Sequence, residues 1–86
     1  MDNETLTEYI FIFNSVHRVM KAERILKKSG AKFALLPVPR QLSSDCGLSI
    51  RYTDNDYEAV KDLLVTNFSD KVLAYVLEGD GYRKLL

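Results

Sequence analysis

The chain has 86 residues with twelve basic and twelve acidic side chains, so its formal net charge is +0. A chain of this length holds one domain, and folding buries only about 60–65% of its unfolded surface. Zero net charge gives no long-range attraction to nucleic acid or anionic lipid, so nucleic-acid binding is not expected. The apolar stretches are shorter than the roughly 20 residues that span a bilayer, so no membrane segment is expected.

The first residues and the cysteine content indicate the compartment. The segment MDNETLTE is acidic and polar, whereas a secretory signal begins with basic residues and continues with apolar ones. The single cysteine, Cys46, cannot form an internal disulfide, although a small secreted domain usually contains several cysteines. We therefore expect a cytoplasmic protein that is not exported.

The first predicted elements are a strand and a helix, which follow a polar lead-in at residues 1–6. Residues 9–13 are β-branched and aromatic on both faces, which is typical of a central strand. Asn14 or Ser15 can cap a helix over about residues 15–29, and Gly30 provides its left-handed end. The apolar side of this helix consists of Val19, Ala22 and Leu26, and it is flanked by Val16, Met20 and Ile25.

Two further strands are predicted on either side of a loop. Residues 32–36 form a short strand that Pro37 ends, because proline cannot donate a hydrogen bond to a sheet. After the loop, alternating apolar residues from Leu48 onward predict a third strand that ends near Thr53.

The last third of the chain predicts a helix, a strand and a tail. Thr53 and Asp56 resemble a capping box, and an apolar stripe predicts a helix over about residues 54–66 that Asn67 ends. Residues 71–77 are strand-like on both faces. We interpret residues 7–78 as a single domain and residues 79–86 as a C-terminal tail.

The order of these elements predicts an α+β fold, a ferredoxin-like βαββαβ split sandwich with a four-stranded antiparallel sheet and two helices on one face. In this topology the first and second strands run parallel, with the third strand between them. The turn after the first strand and the loop before the third strand then meet at one sheet edge. Since neighbouring strands lie about 4.8 Å apart, we expect Cys46 to lie near Asn14 and Ser15, where the first helix begins.

A cysteine in that position is expected to be a reactive thiolate. A helix N-terminus carries about half a positive charge and lowers a thiol pKa from about 8.5 to about 3.5–7.5. His17, Arg18 and Arg40 are candidates for additional positive charge near the loop, and Ser43 and Ser44 offer hydroxyl groups. Gly47 has no side chain, which allows another group to approach the sulfur closely.

The loop carries the pattern P-x-P-R-x-L-S-S-x-C-G. Its members here are Pro37, Pro39, Arg40, Leu42, Ser43, Ser44, Cys46 and Gly47. Over about residues 9–77, the chain resembles the selenium/sulfur carrier protein-like family, a group of small uncharacterised bacterial domains. The resemblance implies a carrier rather than a turnover enzyme, with sulfur or selenium held covalently on Cys46. It further implies sulfur or selenium donor and acceptor proteins as partners, and no other cofactor.

Each of these residues also has a plain structural interpretation. A lone cysteine is more often a buried apolar residue than a nucleophile, and the adjacent carboxylate of Asp45 would raise its pKa. His17 is then an exposed residue of the first helical turn, and with no second histidine no metal site is expected. The basic stripe on the first helix is a solvated face in this interpretation, comprising Lys21, Arg24, Lys27 and Lys28.

Two other functions stay open at this point. The loop could serve a small-anion-binding or regulatory module without any covalent chemistry. The chain could instead be an interaction domain, because Ile10, Ile12 and the apolar residues of 73–77 cannot all lie beneath two helices. A partner subunit or the tail residues Tyr82, Leu85 and Leu86 must cover some of this apolar surface. On that basis we expect a homodimer through the open face of the sheet.

Overall fold

A computed structural model describes residues 7–42, 47–53, 56–79 and 81–86. Over these residues the chain forms two helices and five strands. In chain order they are β1 (Tyr9–Phe13), α1 (Val16–Ser29), β2 (Phe33–Pro37), β3 (Leu48–Tyr52), α2 (Tyr57–Phe68), β4 (Val72–Glu78) and β5 (Gly81–Lys84), with a short 3-10 turn (Ser69–Lys71) between α2 and β4. The predicted α+β class is confirmed.

The five strands form one antiparallel sheet in the order β2-β3-β1-β4-β5. β3 pairs antiparallel with both β1 and β2, so these two strands run parallel on either side of it. The predicted count of four strands is wrong, because β5 pairs with β4 from Glu78 and Gly81 onward. Part of the segment that was interpreted as a tail therefore belongs to the sheet.

Both helices cover the same face of the sheet and share one hydrophobic core. Alternate residues of a strand point to opposite faces, and in β1 the residues Phe11 and Phe13 point toward the helices. They pack with residues of both helices and of the neighbouring strands, namely Val19, Ala22, Leu26, Ile50, Tyr52, Val60, Leu64, Phe68, Val72 and Ala74. The predicted inner side of α1 is thus confirmed.

The ends of α1 follow the sequence signals. Ser15 is the N-cap, and its Oγ accepts a hydrogen bond from the backbone amide of Arg18 at 3.2 Å. Gly30 ends the helix in the left-handed conformation with a φ of 82°, which favours a residue without a Cβ. Lys27 and Lys28 occupy the last turn, where positive charge stabilises the negative end of the helix dipole.

The ends of α2 differ from the prediction. Asp56 is the N-cap and its side chain makes no capping hydrogen bond, so the capping box proposed for Thr53 is wrong. Asn67 does not end the helix, because its Nδ2 donates to the backbone oxygen of Leu63 at 2.8 Å within the last turn. The helix ends one residue later, and Ser69 after it takes a positive φ of 55°.

An aromatic stack fixes the start of α2 over β1. The ring of Tyr57 lies parallel to that of Tyr9, with the centroids 4.1 Å apart, and 5.9 Å from that of Phe11. The Tyr57 hydroxyl is buried without a hydrogen-bond partner in the part of the chain that the structure describes. Burial raises the pKa of Tyr57 above its ordinary value.

The face of the sheet away from the helices has two isoleucines at its centre. Ile10 and Ile12 are only 1% and 3% exposed. Leu73, Tyr75 and Leu77 on the neighbouring β4 are partly buried. The two isoleucines, which motivated the prediction of a homodimer, are therefore already shielded from water in the single chain.

Candidate functional site

The sheet register brings the β1–α1 turn and the β2–β3 loop to one edge of the sheet. Pro37 at the end of β2 pairs with Leu48 at the start of β3. Ile12 near the end of β1 pairs with Ser49, one residue further along β3. The ends of the loop therefore lie beside the end of β1, where Ser15 begins α1 and its first backbone amides lack partners within the helix.

The central residues of the predicted site are Cys46, Ser43 and Ser44, and all three lie outside the described residues, as does Asp45. Their roles stay predictions. The two stems of the loop are described, and a hydrogen bond from the Val38 amide to the Gly47 carbonyl oxygen joins them at 3.1 Å. This hydrogen bond therefore holds the two ends of the loop together where the loop leaves the sheet.

The turn before α1 and the first turn of the helix hold three of the predicted site residues. Asn14 is exposed, and its Oδ1 accepts a hydrogen bond from Nη1 of Arg18 at 2.6 Å. The Ser15 hydroxyl is engaged as the helix cap, and His17 is exposed beside it. Arg18, which the sequence offers with His17 and Arg40 as positive charge near the loop, lies at a spacing of four from Asn14. This turn presents a fixed guanidinium at the sheet edge.

Arg40 and Gly47 occupy the two arms of the loop. Arg40 is exposed within a turn that the Leu42 amide closes by donating to the Pro39 carbonyl oxygen at 2.9 Å. Within the described residues, no hydrogen bond or ion pair joins its guanidinium to Asn14 or any other group. Of the predicted set, the described residues of the turn and of the loop stems therefore lie at one edge of the sheet, and no described contact joins Arg40 to the turn. Arg40 remains available to an incoming anion.

Gly47 is the described residue whose conformation most constrains the loop. Its φ is +74°, and a Cβ added to it would meet no atom within 4 Å. We expect Gly47→Ala to lower the free energy of unfolding by about 1–2 kcal/mol through backbone strain alone. Gly81→Ala is the matched control, because Gly81 has equal space without a positive φ. Urea unfolding measures both, and equal losses in the two variants would contradict this account of Gly47.

The rest of the described chain contributes no group to the candidate site at this edge of the sheet. An open cavity of about 150 Å³ lies at the opposite sheet edge, between the end of α1 and the start of α2, and its lining includes Gly30, Tyr52 and Asp56. No group of three or more potential metal-ligating residues occurs within the described ranges. Neither described helix is long and apolar enough to cross a membrane.

The fold and the loop edge define a small α+β domain with two helices on one face of an antiparallel sheet. The family described as "Putative Se/S carrier protein-like" matches residues 8–73, from the residue before β1 into the start of β4. The chain belongs to this family, and the predicted resemblance is confirmed. Searches of curated proteins and of solved structures found no match.

Proposed function

We propose that this protein carries one sulfur or selenium atom as a covalent adduct on Cys46, taken from a donor protein and passed to an acceptor protein. Membership of the carrier-like family carries the proposal, since the matched range 8–73 includes the only cysteine of the chain. The sheet register supports it, because the stems of the cysteine loop leave the sheet at the edge where α1 begins.

The transfer step needs no external oxidant or reductant. The Cys46 thiolate attacks the outer sulfur of a donor persulfide, and a new sulfur–sulfur bond forms at its Sγ. The donor's own sulfur–sulfur bond breaks, and its electron pair leaves with the donor thiolate. An acceptor nucleophile later attacks the outer atom and regenerates the Cys46 thiolate. For selenium, the outer atom of the donor and of the adduct is selenium.

Positive charge at the loop edge would assist each step. The first amides of α1 and the positive end of its dipole favour an anion at this edge. The guanidinium of Arg40, which has no hydrogen bond or ion pair among the described residues, is a second contact for the thiolate and for the charged adduct, and Ser43 and Ser44 offer hydroxyl donors. Asn14, Ser15 and His17 hold or flank the helix start, and Gly47 adds no side chain that would block the approach of a partner.

Intact-protein mass spectrometry after incubation with glutathione persulfide tests the proposal. We expect the reduced protein to gain the mass of one sulfur atom and to lose it again on treatment with dithiothreitol. Peptide mapping should place the added atom on Cys46. A protein that stays at its original mass under conditions that load an established sulfur carrier would contradict the proposal.

We assign the domain to the ferredoxin-like sandwiches, with β5 as an added edge strand beside the order β2-β3-β1-β4. We place the protein in the cytoplasm, where a thiol stays reduced.

We also propose a homodimer through the partly buried β4 residues of the open sheet face. Sedimentation equilibrium should then give a mass that rises with concentration, and a constant monomer mass would contradict the dimer.

A further inference from the structure

A row of exposed side chains runs along α1 from the loop edge of the sheet. Val16, Met20, Arg24 and Lys28 follow at intervals of four residues and therefore form one ridge on the helix surface, which we call the α1 ridge. Val16 is 46% exposed and Met20 is 41% exposed, although the sequence pattern assigned both to the flanks of the buried side. The first half of the ridge is thus apolar and open to water.

The second half of the ridge carries positive charge that no described residue neutralises. Residues 16–29 contain five lysine and arginine side chains and one glutamate, for a helix charge of +4 in a chain of net charge +0. Glu23 contacts Lys27 at 4.0 Å. Neither Arg24 nor Lys28 has an ion pair or hydrogen bond among the described residues. A solvated basic face does not by itself explain why apolar side chains continue the same row.

The position of the α1 ridge connects it to the proposed transfer site. Val16 follows the N-cap Ser15 directly, at the sheet edge from which the stems of the cysteine loop emerge. From there the ridge extends down the helix, away from the loop. A protein that approaches the loop from the helix side would therefore meet Val16 and Met20 first and Arg24 and Lys28 one to three turns further on.

We propose that the α1 ridge docks an acidic partner protein, one that places an apolar patch on Val16 and Met20 and carboxylates on Arg24 and Lys28. This inference rests on the proposed function, for which the partner is a donor or acceptor of the carried atom. Charge complementarity selects this occupant, since the ridge has unpaired cations beside its apolar end. The apolar end gives the contact its position relative to the loop.

The acidic side of α2 in a second copy of this chain fits the ridge less well. The acidic residues on the exposed side of α2 are Glu58 and Asp62, and Lys61 already contacts both, at 3.0 Å and 3.6 Å. An anionic membrane surface would satisfy the cations, but the ridge has only two apolar side chains to insert, and zero net charge gives the whole protein no attraction to it.

A titration with a synthetic peptide tests the docking surface. The probe is a helical peptide with leucines in its first turns and glutamates in the following turns. We expect the amide signals of residues 16–28 in nitrogen–proton spectra of the full chain to shift on addition of the peptide. Arg24→Glu should weaken binding about fivefold, measured by fluorescence anisotropy, and Met20→Ser should also weaken it. Lys84→Glu makes the same charge change on β5 and should leave the affinity within about twofold.

Equal losses for Arg24→Glu and Lys84→Glu would overturn the proposal, because they would indicate an effect of net charge alone. Shifts confined to another surface would also overturn it, as would ridge-dependent binding to phosphatidylglycerol vesicles without binding to the peptide. Uptake of sulfur from glutathione persulfide, a small donor, should be unchanged in Arg24→Glu. If the wild-type chain takes up no sulfur, the carrier function fails, whereas the peptide titration still decides whether the ridge is a docking surface.

Discussion

A Cys46→Ser variant is expected to take up no sulfur from glutathione persulfide, whereas the wild-type chain gains one atom. The loss is complete because the chain contains no second cysteine to accept the atom. A serine hydroxyl is not a substitute, since it is not ionised near neutral pH and cannot form a persulfide. Intact mass after incubation measures the difference directly.

The same variant separates covalent transfer from non-covalent anion binding. If the loop only binds a small anion, Cys46→Ser should retain the heat of sulfite or selenite binding in calorimetry, and wild type should show no added mass. Circular dichroism of the variant is the control for folding. A Cys46→Ser protein that still gains one sulfur atom would contradict the carrier proposal.

Among the single substitutions proposed for this protein, Phe11→Ala in the hydrophobic core is expected to cause the largest loss of stability. Phe11 lies on the central strand, is 0% exposed and packs against both helices and the ring of Tyr57. Removing the ring deletes buried apolar surface and leaves a cavity, which costs about 3–5 kcal/mol. This is a large fraction of the roughly 5–15 kcal/mol that stabilises a domain. Thermal or urea unfolding should show a markedly lower midpoint.

Val65→Ala is the matched control for the Phe11 substitution. Val65 is an apolar residue of α2 that is 37% exposed, so its truncation should change the free energy of unfolding by no more than about 0.5 kcal/mol. If Phe11→Ala were as mild as this control, the sheet face beneath the helices would not be the main core of the protein.

The strands and helices whose residues dominate the core could be predicted from the sequence. Residues 9–13 were identified as a central strand because both faces are apolar, and Ile10 and Phe11 are indeed buried on opposite faces. Gly30 was predicted correctly as the end of α1, and its start was predicted to within one residue, with Ser15 rather than Asn14 as the cap, because capping and the left-handed end depend on local chemistry. At the end of α2 the side chain of Asn67 donates a hydrogen bond to the helix backbone, and the helix continues past this residue. An asparagine is compatible with either outcome, so its residue type does not predict where the helix ends.

The fifth strand was missed because its signal is short. Gly79 and Asp80 separate Glu78 from Gly81, which pair in the sheet, and a Gly-Asp pair between two strands is typical of a two-residue hairpin turn. The strand that follows has only four residues, Gly81–Lys84, with little apolar alternation. Its stability depends on pairing with β4, a contact that no local pattern expresses.

The candidate site could be predicted at the level of the sheet edge. Parallel β1 and β2 with β3 between them require the β1–α1 turn and the β2–β3 loop to emerge together, and the pair Pro37–Leu48 lies at that edge. The exposure of Val16 and Met20 could not be predicted. Helical periodicity gives the side of the helix on which a residue lies, but not how far the neighbouring strand and loop extend to cover it.

The pH dependence of Cys46 alkylation by iodoacetamide tests the central claim that the thiol lies in the open beside the positive end of α1. Only the thiolate reacts, so the midpoint of the rate profile reports the thiol pKa in the folded protein. The account predicts a midpoint well below the ordinary value of about 8.5. A midpoint at or above that value, or a thiol that reacts only after unfolding, would contradict it.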